Sequence, residues 1–146
     1  MDFPLDPSAF AGPLVVTLLY VGLYYAFQVN ILRVKTALQR EAAAKGEKFD
    51  RYFGQDRRML AADRIQLNML EHMPPFLILL WLNAVFVGGI STTIVGGIYV
   101  ASRALYPFLV GSRLGRSVKA QIVVATGPGY GVIAWYVGAL VWAMVA

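Results

Sequence analysis

The stretch Arg64-Ile-Gln66-Leu-Asn68-Met-Leu-Glu71-His72-Met-Pro74-Pro75-Phe76 sets an arginine, an asparagine and a glutamate at i, i+4 and i+7, directly before an apolar run. At 3.6 residues per turn those three side chains share one face of a helix. Where such a helix enters a bilayer, ionisable groups are costly and are functional by default. An arginine holds carboxylates with a planar fork that never loses its charge. A glutamate holds an ammonium, and an asparagine amide donates and accepts at once. The stripe predicts a binding site for a charged, zwitterionic ligand.

Further polar residues lie at the ends of the apolar runs: Arg33, Gln66, His72, Arg103, Tyr106, Arg113 and Arg116. Four antiparallel spans would gather them at one end of a bundle, with Glu71 the one acid among several arginines. A ligand with two carboxylates and one amine fits that inventory. Glutathione is such a molecule, and it would bring the thiol that this cysteine-free chain lacks. A purely structural alternative stands beside this reading: Arg64 and Glu71 could pair with each other while Asn68 bonds a neighbouring helix. Arg103 and Tyr106, at i and i+3, share a face and by themselves read as packing. Arg113 and Arg116 by themselves read as topology determinants, and His72 as a helix-interface residue.

The elements that must position these side chains are membrane helices. The chain has 146 residues, of which 58% are hydrophobic and only 14% charged, against about 25% charged in soluble domains. The apolar runs predict an all-α integral membrane protein, one domain over residues 1–146, a four-transmembrane-helix bundle with spans near 11–38, 62–90, 92–112 and 118–145. Met1–Asp6 holds no positive residue, so the first span reads as a retained helix rather than a signal peptide. Without cysteine, disulfides and thiolate metal sites are excluded, and one histidine argues against a multi-histidine metal centre.

Charge placement gives a topology. Nine of the thirteen basic residues lie between Arg33 and Arg64, and Arg113, Arg116 and Lys119 lie between the third and fourth runs. Both basic loops are expected on the cytoplasmic side, with both termini across the membrane. The net charge of +5 is thus a topology signal first; attraction to anionic membrane lipids is secondary, and no nucleic-acid partner is expected. The first loop is expected to continue the first helix and then become irregular around Gly46 to Gly54. Pro74 and Pro75 are expected to kink the second helix.

These residues together resemble the MAPEG family, the membrane-associated proteins in eicosanoid and glutathione metabolism, over nearly the whole chain. Arg64-x-Gln66-x-Asn68-x-x-Glu71 followed by Pro74 and Phe76 looks like the family's second-helix signature. Phe27-Gln28-Val29-Asn30-Ile31-Leu32-Arg33 is similar to the end of the first helix in cysteinyl-leukotriene synthase. Arg103-Ala-Leu-Tyr106 resembles the third-helix Arg-x-x-Tyr, and Arg116-Ser117-Val118 the segment holding the catalytic arginine of microsomal prostaglandin E synthase.

The resemblance implies a homotrimer of four-helix subunits with glutathione bound between neighbours. Arg64, Asn68, Glu71 and Tyr106 would hold it, with Arg103 beside them, and Arg33 and Gln66 would reach the neighbouring subunit's ligand. Arg116 would stabilise the thiolate, with Arg113 a competitor for that role. The implied activity is that of a microsomal-type glutathione transferase acting on hydrophobic electrophiles, with lipid hydroperoxide reduction as a further activity. Localisation in a bacterial inner membrane is the expectation. Val110 and His72 stand where cysteinyl-leukotriene synthase carries tyrosines, and that departure supports an alternative: a non-catalytic lipid-binding scaffold resembling the five-lipoxygenase-activating protein.

Overall fold

The uncharged run that begins at Ala11 is helical without interruption as far as Ala44, well past its first charge at Arg33. In the computed structural model, which describes residues 7–110 and 119–146, this helix, α1 (Ala11–Ala44), is followed by α2 (Arg57–Phe86), α3 (Gly89–Val110) and α4 (Lys119–Val145). No strand occurs among the described residues. The 34 residues of α1 extend about 51 Å at 1.5 Å per residue, against roughly 30 Å of bilayer hydrocarbon. Its charged last turns therefore rise beyond the apolar slab.

The connections follow from local chemistry. Gly46 adopts a left-handed φ of 71°, and the Glu47 N–H closes α1 by donating to the Ala42 carbonyl at 2.9 Å. Asp56 caps α2, its carboxylate accepting from the Arg58 N–H at 2.8 Å. Arg58 also forks onto Glu41 at 2.9 and 2.7 Å, tying the two helices together outside the apolar region. The turn from α2 to α3 is two residues, Val87 and Gly88. Val87 and Gly88 both donate to the Asn83 carbonyl, at 2.9 and 2.7 Å, and positive φ at Gly88 and Gly89 lets α3 begin at once.

α2 stays helical through Pro74 and Pro75. Those residues have no N–H, so the carbonyls of Leu70 and Glu71 lose their usual helical donors.

α2 and α3 each touch the other three helices and form the middle of the bundle. The core between the four is Val16 and Tyr20 from α1, Met69, Phe76 and Leu80 from α2, Tyr99 from α3, and Val132 and Tyr136 from α4. Its centre is aromatic: Phe76 and Tyr99 stack with ring centroids 3.9 Å apart and planes 8° from parallel. At the end away from the basic loop, Asn83 donates to the Tyr136 carbonyl at 3.1 Å and the Tyr136 hydroxyl donates to the Thr92 carbonyl at 2.9 Å. Those bonds clasp α2, α3 and α4.

Outward faces are apolar, among them Leu14, Leu18, Tyr25 and Leu32 on α1 and Ile78 and Val85 on α2. α1, α2 and the Thr126–Val145 part of α4 are long and apolar enough to cross a membrane. α3 is not among them; it carries Arg103 and the run Ser91-Thr92-Thr93. With four α-helices among the described residues and apolar outward faces, the chain is an integral membrane protein.

Candidate functional site

The inward stripe of α2 is set by helical spacing: Met59, Ala62, Gln66, Met69, Phe76, Leu80 and Asn83 are all buried. Arg64, Asn68 and Glu71 lie within about 60° of one another around the axis, at the margin of that stripe. Asn68 falls on the buried side at 8% exposure, whereas Arg64 and Glu71 are exposed above and below it. No ion pair joins Arg64 to Glu71 among the described residues. The intrahelical pairing that the sequence left open is therefore not made.

The inward stripe of α3 is Thr92, Gly96, Tyr99, Arg103 and Tyr106, all buried. Arg103 is 1% exposed. Its Nη1 donates to Asn68 Oδ1 at 2.9 Å, and its guanidinium lies 5.3 Å from the Tyr99 ring and 5.7 Å from the Tyr106 ring. A cation taken out of water needs such partners, since its desolvation costs several kcal/mol, and aromatic faces supply part of the compensation. Tyr106 packs against Ile65 and Phe27, which brings α1, α2 and α3 together just beside the Arg103–Asn68 bond.

α4 closes the third side through a glycine. A Cβ placed on Gly129 would overlap Arg103 Nη2, would lie 3.1 Å from Arg103 Cζ and would lie 3.5 Å from the Tyr99 ring. Next to Gly129, the Tyr130 ring meets His72 of α2 edge-on, with centroids 5.3 Å apart at 70°. His72 is thus a contact between α2 and α4, as its sequence context suggested.

The structure brings Asn68, Arg103 and Tyr106 into one cluster and sets Arg64 and Glu71 at its exposed margin. Gln66 is buried at 6% exposure with neither amide atom hydrogen-bonded, a state that costs about 1–3 kcal/mol. Arg33 stands apart, exposed on the outward face of α1 in a groove with Leu32, Thr36, Ala37 and Arg40. Arg113 and Arg116 lie outside the described residues.

Two contributors were not picked out from sequence. Tyr99 precedes Arg103 by one turn, and its i, i+4, i+7 relation to Arg103 and Tyr106 was a readable signal. Gly129, in Thr126-Gly-Pro-Gly-Tyr-Gly131, gave no signal tying it to an arginine on another helix.

Among the described residues no cluster of three or more His, Asp or Glu side chains could hold a metal ion. No match was found among curated proteins or among solved structures. The family model for MAPEG matches residues 13–145, covering all four helices and the whole polar cluster. With its signature residues gathered on α2 and α3 as described, the chain belongs to the MAPEG family.

Proposed function

We propose that this protein is a membrane-bound glutathione transferase, with glutathione held along the α2 margin. The observation that carries this reading is the pair Arg64 and Glu71, exposed, opposite in charge and unpaired with each other, on either side of Asn68. Seven residues of helix separate them by about 10 Å, which is near the reach of an extended tripeptide. Arg64 suits a carboxylate of the ligand and Glu71 its ammonium. Membership of a family that includes glutathione transferases supports the assignment.

The family resemblance gives the rest. Arg116 faces the sulfur, with Arg113 the competitor for that place. A nearby cation favours the thiolate over the thiol, so the thiol proton passes to solvent. The thiolate then forms a carbon–sulfur bond to an apolar electrophile arriving from the bilayer, and the leaving group departs with its bonding pair. With a lipid hydroperoxide, two glutathione molecules instead give the disulfide, the lipid alcohol and water. The subunit works as a homotrimer, in which Arg33 and Gln66 meet the neighbour's glutathione. The two basic loops face the cytoplasm, the membrane being a bacterial inner membrane.

The test is turnover with glutathione and a chloronitrobenzene, comparing wild type with Arg116→Ala. Loss of conjugation with retained glutathione binding is expected, and undiminished conjugation would remove Arg116 from the sulfur. The second reading is a lipid-binding protein without catalysis. It is favoured by His72, which packs on Tyr130 where a transferase relative presents a hydroxyl. It requires an apolar ligand that survives purification and no glutathione-dependent chemistry.

A further inference from the structure

We infer that Arg103 is a positioning residue held in place by Gly129, and that it turns Asn68 so that its Nδ2 donates to the ligand. The inference rests on the glutathione reading for the ligand's identity, though not for the geometry. A guanidinium has donors only, so the Asn68 atom at 2.9 Å from Arg103 Nη1 must be Oδ1. One lone pair of that oxygen is thereby engaged, and the orientation of the amide is fixed, with Nδ2 turned away from Arg103. The Asn68 Nδ2 group makes no hydrogen bond within the described protein. An NH2 group offers protons alone, so the ligand atom that meets Nδ2 is an acceptor: a carboxylate oxygen fits and an ammonium does not. At 1% exposure Arg103 has almost no surface left for the ligand itself.

Gly129 makes this arrangement possible from α4. With no side chain there, the guanidinium lies flush on the α4 backbone, between Asn68 and the rings of Tyr99 and Tyr106. A methyl group at Gly129 would occupy the volume of Nη2 and push the guanidinium off Asn68.

The experiment measures binding of glutathione and its two monoamides, at the glycine and at the γ-glutamyl carboxyl, to wild type, Asn68→Asp and Gly129→Ala. In wild type, amidating the carboxylate that meets Asn68 should weaken binding about ten- to a hundredfold, the range of a charge-assisted hydrogen bond. The other monoamide should be less affected, which identifies the end concerned. In Asn68→Asp the introduced carboxylate can still accept from Arg103 but accepts from the ligand too, so the order should reverse and that monoamide should bind better than glutathione. Gly129→Ala should flatten the discrimination between acid and amide. The same preference in wild type and Asn68→Asp would overturn the donor assignment, and undiminished discrimination in Gly129→Ala would overturn the positioning role.

If wild type binds none of the three ligands, the glutathione reading fails and thermal melting decides the inference alone. Asn68→Asp should melt within a few degrees of wild type, while Asn68→Leu, which removes the Arg103–Asn68 hydrogen bond, should melt clearly lower. Equal melting of the two variants would contradict the Arg103–Asn68 coupling.

Discussion

The Tyr20 hydroxyl of α1 donates to the backbone carbonyl of Met69 at 2.7 Å, in a buried position beside Asn68. α1 is thereby bonded to the turn of α2 that carries the candidate ligand-binding stripe. The same turn leads into Pro74 and Pro75, where α2 has lost two of its own hydrogen bonds. A cross-helix bond at that point supports a weakened stretch of helix.

Tyr20→Phe removes this bond and keeps the ring packed at a tilt against Phe76, whose centroid is 5.1 Å away. A loss of about 1 kcal/mol is expected, the usual net worth of such a bond. Thermal unfolding in detergent should show a drop of a few degrees, and an unchanged transition would mean that the bond does not support α2.

Gly96 and Gly97 are neighbours in α3 with opposite surroundings. A Cβ on Gly96 would lie 2.9 Å from Tyr136 Oη, 2.9 Å from Val16 Cγ1 and 3.1 Å from Leu80 Cδ1, so all three other helices converge on it. Nothing lies within 4 Å of a Cβ on Gly97. Gly96→Ala is expected to destabilise by about 1–3 kcal/mol through overpacking. Gly97→Ala is expected to be neutral or to stabilise by up to about 1 kcal/mol through helix propensity. Paired melting curves check this, and equal effects would contradict the packing at Gly96.

The loop between α1 and α2 carries an acid-sensitive contact. Asp50 accepts from the backbone N–H groups of Phe53 and Tyr52, and Asp56 accepts from the side chain and backbone of Arg58. Hydrogen bonds from Phe53 and Tyr52 hold the Asp50 carboxyl below its ordinary range, and the Arg58 side chain does the same for Asp56. A folded pKa below the unfolded value, about 3.9, means that the contribution is complete above that value and is lost as pH falls through the lower folded one. The backbone amide resonances of Tyr52 and Phe53 should therefore titrate together with a midpoint below about 3.9. A midpoint at or above that value would show that the turn does not depend on the ionised carboxylate.

How much of this was legible in the sequence depends on range. Local periodicity was enough to place the helices and to put Arg103 and Tyr106 on one face, because both facts follow from spacing within one helix. It was also enough to align Arg64, Asn68 and Glu71. Which of the three turns inward depends on α3, and Asn68 goes in, where its oxygen accepts from Arg103, thirty-five residues away. The roles of Tyr99 and Gly129 are likewise set by packing between helices. The continuation of α1 past the membrane span, as far as Ala44, was legible as well: beyond Leu32 the charges leave the apolar region, while residues such as Ala42, Ala43 and Ala44 keep the chain helical.

Glutathione bound along the α2 margin between Arg64 and Glu71 should be visible in calorimetric titration of the detergent-solubilised protein, run beside Glu71→Ala. Saturable binding is predicted in wild type, with at least a tenfold loss in the variant, equivalent to about 1.4 kcal/mol. Absence of binding to folded wild type, or equal affinity in Glu71→Ala, would show that Arg64 and Glu71 do not hold glutathione.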